Sequence, residues 1–243
     1  MSVDLQNITM RFAGGRQTLF ENLNLRVEAG ERVGIAGHPK TGKSTLLRLI
    51  CGTEYNYEGR IDRDLRVSWP TTFGDYLVMS STLATNIRFI GRLCGVNNDD
   101  FVRKVGEIAG VTEFLNEELG NCPRFVRPQL QFAITIAVEF DIYLFDDTIT
   151  GGDKDFKEKA LGLVRTLDPS RGIVFASSNF KEISSCCDTI YILDKGHVAR
   201  YENLKEAEKY FKSIGQQTAE KVAVQREMVE RPPQEDFTSV LGI

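Results

Sequence analysis

The sequence GHPKTGKS occupies residues 37–44, between a short apolar run that ends at Ala36 and a segment with helical apolar spacing from Ser44 to Ile50. It fits the pattern G-x-x-x-x-G-K-[ST], in which glycines let backbone N–H groups wrap around phosphate oxygens. A helix that starts here directs the positive end of its dipole at the anion. Lys43 is suited to neutralise the outer phosphates and the Ser44 hydroxyl to bind Mg²⁺. The order strand, glycine loop, helix therefore predicts a phosphate-binding loop.

A phosphate loop that works with Mg²⁺ needs a second ligand for the metal, usually a carboxylate at the end of a neighbouring apolar strand. The run DIYLFDD at residues 141–147 ends in two such carboxylates. We interpret Asp146 as the Mg²⁺ ligand, although alone it would also fit a solvated acidic strand end. Together the two motifs predict binding of Mg·ATP or Mg·GTP.

Apolar patterning around these motifs predicts an α/β fold. The first 30 residues alternate in the manner of an antiparallel strand pair. Apolar runs at 142–145 and 173–176 flank a charged helical stretch from Asp155 to Arg165. That order is typical of parallel strands joined by crossover helices. A mixed central sheet with antiparallel strands at the N-terminus is therefore expected.

The rest of the chain divides into a helical region, a hairpin and a tail. Residues from about 82 to 140 have mostly helical patterns, including 100–109 and 128–140, and are expected to form a helical insertion. Residues 189–201 predict a β-hairpin. The tail after Gly215 is polar and is expected to be flexible.

Composition excludes several classes of protein. A chain of 243 residues with 42% hydrophobic residues can fill a core, and a net charge of −4 offers no basic surface for nucleic acid. His38 and His197 are its two histidines, and it has no Cys-x-x-Cys pair, which argues against a zinc ribbon or a multi-histidine metal site. No stretch approaches the roughly 20 apolar residues of a membrane span, and the start lacks a secretory pattern. We therefore expect a cytosolic protein.

The layout resembles the nucleotide-binding subunit of ABC transporters, and within that family the ATPase of capsular-polysaccharide exporters. The resemblance covers residues 2–213, so we expect a nucleotide-binding domain over 1–213, with a helical subdomain at about 82–140, and a C-terminal extension over 214–243. The sequences that carry it are RVGIAG at 32–37, LRLICG at 47–52, VSWP at 67–70, FDIYL at 140–144, CD at 187–188 and ILDKG at 192–196. The Ser-Trp-Pro segment is the part that points to polysaccharide export.

The resemblance implies a P-loop ATPase of ABC type that uses ATP and Mg²⁺. Two copies, as a homodimer or a heterodimer, would enclose ATP between one phosphate loop and the partner's signature helix. The dimer would dock on a polytopic membrane subunit that moves the glycan, which places it in the cytoplasm, peripheral on the inner membrane. The residues expected to bind nucleotide are Phe12, Gly37, His38, Pro39, Lys40, Thr41, Gly42, Lys43, Ser44 and Thr45. Phe12 would stack on adenine or, alternatively, fill the core at a strand end; the ring of His38 would touch phosphate or lie on the loop surface.

Several catalytic elements of the family are altered in this sequence. The glutamate that normally follows the magnesium aspartate is replaced by Asp147, one methylene shorter, and a displacement near 1 Å costs on the order of a hundredfold in rate. Ser178 occupies the position of the switch histidine. No glutamine lies between Gln17 and Gln129, so the glutamine that joins the nucleotide site to the membrane subunit in this family is missing near Gly74 to Met79. Asp147 and Ser178 are therefore the expected catalytic residues of a site with slow turnover.

The signature motif is also altered. Its serine and glycine would fall within residues 123–127, PRFVR, where neither is present. Arg124 or Arg127 would replace the lost donors by charge, or both arginines are simply solvated. Asp153 matches the aspartate of the family's interface loop, so Arg124, Arg127 and Asp153 are expected to face the partner.

Three functions fit this pattern. The leading hypothesis is the ATP-binding subunit of a capsular or related polysaccharide exporter with slow hydrolysis. The alternatives are a regulatory or scaffold subunit that binds ATP without productive hydrolysis, and a small-molecule kinase, for which no acceptor site is evident. The uncharged stretch from Tyr76 to Ile87 is expected to receive the membrane partner, although core packing explains its apolar residues equally well.

Overall fold

The computed structural model describes residues 1–11, 18–71, 76–96, 98–147 and 154–215. The strands are β1 (Ser2–Arg11), β2 (Thr18–Glu28), β3 (Arg32–Ala36), β4 (Glu58–Arg63), β5 (Ile142–Phe145), β6 (Gly172–Ser177), β7 (Thr189–Asp194) and β8 (His197–Tyr201). The helices are α1 (Lys43–Cys51), α2 (Leu83–Leu93), α3 (Asp99–Ala109), α4 (Val126–Ala137), α5 (Lys154–Arg165), α6 (Phe180–Ser184) and α7 (204–215). Short 3₁₀ turns at Thr112–Phe114 and Leu119–Asn121 lie between α3 and α4.

The strands form two sheets, and the predicted α/β architecture with a mixed sheet is confirmed. One sheet has the order β2-β1-β4 and is antiparallel. The other has the order β5-β6-β3-β7-β8, in which only the β7–β8 hairpin is antiparallel. The central β3 pairs Ala36 with Ser177 on one side and Ile192 on the other. The carboxyl ends of these strands therefore meet at the edge where the phosphate loop begins.

Strand β3 separates two apolar cores. Val33 and Ile35 are fully buried on the face that packs against α1 and the antiparallel sheet. On the other face Gly34 lies so close to α6 and β7 that a Cβ there would overlap the Ile183 side chain and come within 2.7 Å of Ile190. Glycine at this position lets a helix pack directly on the strand that carries the loop.

The expected helical region is built from α2, α3 and α4. Thr82 and Asn98 cap the first two helices by accepting hydrogen bonds from Thr85 N–H and Phe101 N–H. Helix α4 ends at Ala137 rather than at residue 140, because Val138 adopts extended backbone. In the described ranges, none of the helices combines the length and apolar character needed to cross a bilayer.

Arg63 ties the antiparallel sheet to the end of α1. Its guanidinium donates to the carbonyl oxygens of Ile50 at 3.0 Å and Leu49 at 2.5 Å. These carbonyls lie in the last turn of the helix, where regular i to i+4 bonds end; the Leu49 oxygen also accepts from Gly52 N–H at 3.3 Å. Strand β4, which carries Arg63, has a mostly exposed pattern and was not predicted from the sequence.

The Ser-Trp-Pro segment lies beside β5 as part of the core. Val67 pairs with Ile142 in parallel, and the buried Ser68 hydroxyl accepts from Leu144 N–H at 2.9 Å. The Trp69 ring packs edge-on against Phe140, with centroids 5.3 Å apart. The segment thus has a structural role next to the strand that ends at Asp146.

Candidate nucleotide-binding site

The phosphate loop joins β3 to α1, as predicted. Gly42, immediately before the helix, has a φ of +103°, and a Cβ at this residue would lie 3.0 Å from the Leu19 and Phe20 side chains. Thr41 closes the loop: its hydroxyl donates to the His38 carbonyl at 2.9 Å. Because the helix begins at Lys43, the N–H groups of its first turn are available to an anion at the loop.

Lys43 lies beneath the loop. Its side chain is 5% exposed, and its ammonium donates to the carbonyl oxygens of Gly37 at 2.9 Å and His38 at 3.3 Å. The same ammonium lies 3.2 Å from Oδ2 of Asp147. The lysine is thus held by the loop it serves and by the neighbouring strand end.

The two carboxylates after β5 have different environments. Asp146 is 2% exposed, and its Oδ1 accepts from Asp147 N–H at 2.8 Å. The Asp146 N–H donates to the Thr71 hydroxyl at 3.3 Å, which fixes the backbone at this point. A buried carboxylate and the Ser44 hydroxyl are oxygen ligands of the kind that Mg²⁺ takes alongside phosphate oxygens and water. This donor set fits the metal expected at the site.

Asp147 is held by the last residue of β6 and the residue that follows it. Its Oδ1 accepts from the Ser177 hydroxyl at 2.8 Å, from Ser178 N–H at 2.7 Å and from the Ser178 hydroxyl at 3.2 Å. Partial burial opposes ionisation, but these hydrogen bonds and the charge of Lys43 outweigh it, so the pKa of the Asp147 carboxyl lies below its usual value of 3.8. Ser178 therefore contacts the carboxylate that we expected to act with it. Sequence analysis missed Ser177, which is 1% exposed.

His38 has a partner that the sequence did not indicate. Its ring stacks on Phe211 of α7, with centroids 4.6 Å apart and planes 12° apart. Its Nε2 is buried and has no hydrogen-bond partner in the part of the chain that the structure describes. The ring thus packs against a helix rather than lying on the loop surface, and its expected contact with phosphate stays a prediction.

Lys40 is at the opposite, exposed side of the loop. Its φ is +68°, in the left-handed region that residues other than glycine rarely adopt. It lines a cavity of about 580 Å³ over the loop. The other lining residues are Leu19, Pro39, Gly42, Lys43, Ser44, Thr45 and Asp147. All but Leu19 are residues that the sequence assigned to the site.

The remaining predicted site residues lie elsewhere. Helix α4 begins at Val126 with no side-chain cap, so the altered signature segment still leads into a helix N-terminus. Arg124 is exposed, and Arg127 is half-buried in the first turn. Phe12 and Asp153 lie outside the described residues, so their predicted contacts with adenine and with the partner remain predictions.

Comparison with known proteins shows the family of this chain. The sequence model of the ABC transporter family matches residues 20–150, from β2 through the carboxylates after β5. The chain belongs to the ABC transporter family.

Among curated proteins, this ABC family member is 31% identical to the capsule polysaccharide export ATP-binding protein CtrD of Neisseria meningitidis serogroup B, over 87% of this chain and 99% of that protein. It is 34% identical to the ATP-binding protein BexA of Haemophilus influenzae, over 81% of this chain and 91% of that protein. It is 28% identical to the polysialic acid transport ATP-binding protein KpsT of Escherichia coli, over 84% and 96%.

Solved structures show the same fold. A dimeric ATP-binding cassette in a post-hydrolysis state, bound to ADP and Pi, matches with a TM-score of 0.70 at 21% identity, over 82% of this chain and 97% of the other. The ATP-binding subunit of another ABC transporter matches with a TM-score of 0.74 at 17% identity, over 87% and 93%. These matches confirm the predicted ABC-type ATPase fold.

Proposed function

We propose that this protein is the ATP-binding subunit of an ABC exporter for capsular or related polysaccharide, and that it drives glycan export through a membrane partner. The observation that carries the proposal is the phosphate loop, whose Lys43 ammonium lies 3.2 Å from the Asp147 carboxylate after β5. The names of CtrD, BexA and KpsT support the class of cargo.

Nucleotide binding follows from the loop. Backbone N–H groups at the start of α1 and the Lys43 ammonium would hold the phosphates, and Ser44 with Asp146 would hold Mg²⁺. When bound, the metal neutralises charge on the phosphate oxygens. Phe12 would stack on the adenine of ATP.

Hydrolysis is proposed to be slow because Asp147 is a weak base in a constrained position. Its carboxylate is one methylene shorter than the family's glutamate and is bound by Ser177, Ser178 and Lys43. Its lowered pKa reduces its ability to take a proton from the attacking water. Ser178 stands at the position of the family's switch histidine and lacks the imidazole that would hold the γ-phosphate. We expect Asp147 to act as base only after Lys43 has moved toward the nucleotide.

The proposed partners are a second nucleotide-binding subunit and a polytopic membrane subunit. Arg124, Arg127 and Asp153 are proposed to face the second subunit, in a homodimer or a heterodimer. For the membrane subunit we propose a docking face of four exposed apolar side chains, which would hold the protein in the cytoplasm at the inner membrane. These side chains are Val78 and Met79 before α2, and Phe89 and Leu93 on α2, each 45–70% exposed.

Burial within the Tyr76–Ile87 stretch supports a combination of the two roles considered for it. Leu77, Leu83 and Ile87 are buried and belong to the core. Val78 and Met79 are available for docking. Replacing Phe89 and Leu93 by serine should release the protein from its membrane subunit in co-purification while leaving ATP binding unchanged; loss of ATP binding together with docking would contradict the assignment.

ATP turnover with the membrane partner present tests the enzyme. We expect slow hydrolysis by the natural protein and a rate increase on the order of tenfold for Asp147→Glu. Lys43→Ala should abolish hydrolysis. Hydrolysis that persists in Lys43→Ala would come from a contaminating ATPase. If neither the natural protein nor Asp147→Glu hydrolyses ATP, the enzyme assignment is wrong.

A second function is favoured by the same ion pair. Because Lys43, Ser177 and Ser178 all bind the Asp147 carboxylate, the site would also suit a regulatory or scaffold subunit that holds ATP without cleaving it. Native mass spectrometry of the assembled exporter separates the two cases. A second ATPase with an intact glutamate beside this chain would support the regulatory function, and two copies of this chain would support the enzyme.

A further inference from the structure

Helix α7 places one aromatic side chain between two parts of the nucleotide site. The Phe211 ring stacks on His38 of the phosphate loop at 4.6 Å. It also lies 5.8 Å from the ring of Phe180, with planes 33° apart. Phe180 begins α6, two residues after Ser178. Phe211 therefore contacts the loop that holds Lys43 and the helix that follows the serine on Asp147.

This contact is firmly packed. Phe211 is 7% exposed, and Ala207 and Ile214 on the same helix are 0% and 6% exposed. Gly215 closes the arrangement, because a Cβ there would lie 2.9 Å from Cε1 of His38. The His38 ring, in a partly buried residue, is thus packed against the last turns of α7.

The backbone carbonyl of His38 contacts the phosphate-loop lysine. Its carbonyl oxygen accepts from the Lys43 ammonium at 3.3 Å and from the Thr41 hydroxyl at 2.9 Å. A shift of the ring would therefore move an acceptor of the phosphate-loop lysine. On the other side, a shift of Phe180 would move the segment whose Ser178 N–H donates to Asp147 at 2.7 Å.

We propose that Phe211 is a positioning residue of the nucleotide site, and that α7 sets the separation between the phosphate loop and the Ser178–Asp147 pair by packing on His38 and Phe180. This assigns a role to the C-terminal helix beyond the proposed function. It rests on that function only in naming nucleotide as the ligand.

The test compares two leucine substitutions on the same helix in the full chain. Phe211→Leu keeps apolar bulk but removes the stacked ring. Tyr210→Leu is the matched control, because Tyr210 stacks on Tyr201 of β8 at 5.8 Å and does not face the loop. Both variants are expected to fold, and thermal melting measures the stability that each one loses.

Two readouts separate positioning from core filling. In the absence of nucleotide, Phe211→Leu should speed amide hydrogen exchange at residues 37–43 while Tyr210→Leu leaves it unchanged. Phe211→Leu should also weaken Mg·ATP binding about fivefold. If Phe211→Leu lowers only the melting temperature, as Tyr210→Leu does, the proposal is overturned.

A double-mutant cycle tests the route through His38. In a His38→Ala background, Phe211→Leu should have little further effect on ATP affinity. A full additive effect would mean that His38 does not carry the coupling and would overturn this route. Gly215→Ala, whose added methyl group would crowd the same His38 ring, should speed exchange in the loop as Phe211→Leu does.

The hydrogen-exchange readout does not depend on ligand. A natural chain that fails to bind Mg·ATP would contradict the proposed function, whereas the exchange comparison would still decide whether α7 positions the loop. The two proposals can therefore fail separately.

Discussion

The ammonium of Lys43 lies 3.2 Å from Oδ2 of Asp147, so the phosphate-loop lysine and the carboxylate at the position of the catalytic base form one ion pair. A nucleotide that takes Lys43 onto its phosphates must compete with this carboxylate. The same movement would release Asp147 from its counterion. Binding and activation of the base are thus linked by one contact, and this link gives the first prediction.

Asp147→Asn should destabilise the protein at neutral pH, because it leaves the buried Lys43 ammonium without its carboxylate. The folded pKa of Asp147 lies below 3.8, so its ionic contribution is complete above that value and is lost as pH falls through the folded pKa. The difference in melting temperature from the natural protein should hold from about pH 7 to 5 and shrink once the pH falls below 3.8 and through the lowered pKa of the folded Asp147 carboxyl. Asp99→Asn, at an exposed pair with Arg88, is the control and should change little. A difference that grows toward low pH would contradict the prediction.

Ser177 should matter more than Ser178 for holding Asp147. Ser177→Ala removes a buried hydroxyl that donates to Asp147 at 2.8 Å and accepts from Asn179 N–H at 3.0 Å, and should cost about 1–2 kcal/mol. Ser178→Ala keeps the stronger backbone contact at 2.7 Å and loses only the 3.2 Å hydroxyl contact, so it should cost under about 0.5 kcal/mol. Urea unfolding of the two variants checks this order, and equal costs would be inconsistent with it.

Asn86 should hold the loop that carries Val78 and Met79. The Asn86 side chain is 2% exposed, accepts from Val78 N–H at 2.8 Å and donates to Val78 O at 3.0 Å and Thr82 O at 3.1 Å. Asn86→Asp keeps the acceptor but removes the donors, and should cost about 2–3 kcal/mol. Chemical denaturation gives the cost, and proteolysis should cut near residues 78–82. Asn98→Asp, which keeps its capping acceptor for Phe101 N–H, is the matched control.

Lys40→Gly should stabilise the protein. The left-handed region costs a residue with a side chain roughly 1–2 kcal/mol in the folded state. Glycine avoids this cost, but its greater conformational entropy in the unfolded chain offsets about half of the gain. A gain of up to about 1 kcal/mol is therefore expected at the φ of +68°. Lys40→Ala serves as the comparison, because it removes the same charge but keeps the unfavourable backbone, and it should show no such gain in the free energy of unfolding.

Local features of the fold were predictable from the sequence, and pairings between distant segments were not. The phosphate loop, the hairpin that ends at Tyr201 and the helix before Arg165 follow from glycine spacing and apolar periodicity within a few residues. The position of β3 between β6 and β7 depends on contacts across more than a hundred residues. Strand β4 was missed because an exposed, charged edge strand lacks the apolar alternation on which such predictions depend.

The candidate site shows the same division. The phosphate-loop pattern predicted Lys43 and Ser44, and the apolar run that ends in carboxylates predicted Asp146, because binding of phosphate and Mg²⁺ requires these residue types at these places. The ion pair between Lys43 and Asp147 required the fold, because it joins the first residue of α1 to the segment that follows β5, about a hundred residues later in the chain. The stack of His38 on Phe211 had no signal in the sequence, since α7 carries no motif and its contact with the loop crosses most of the chain.

Arg63 connects the helix that follows the phosphate loop to the three-stranded antiparallel sheet. Helix α1 has the loop at one end and the Arg63 guanidinium clamped on its last carbonyls at the other. A nine-residue helix is a stiff rod of about 13 Å. Through Arg63 and the pairing of β4 with β1, the far end of the helix that follows the phosphate loop is therefore fixed to the three-stranded sheet.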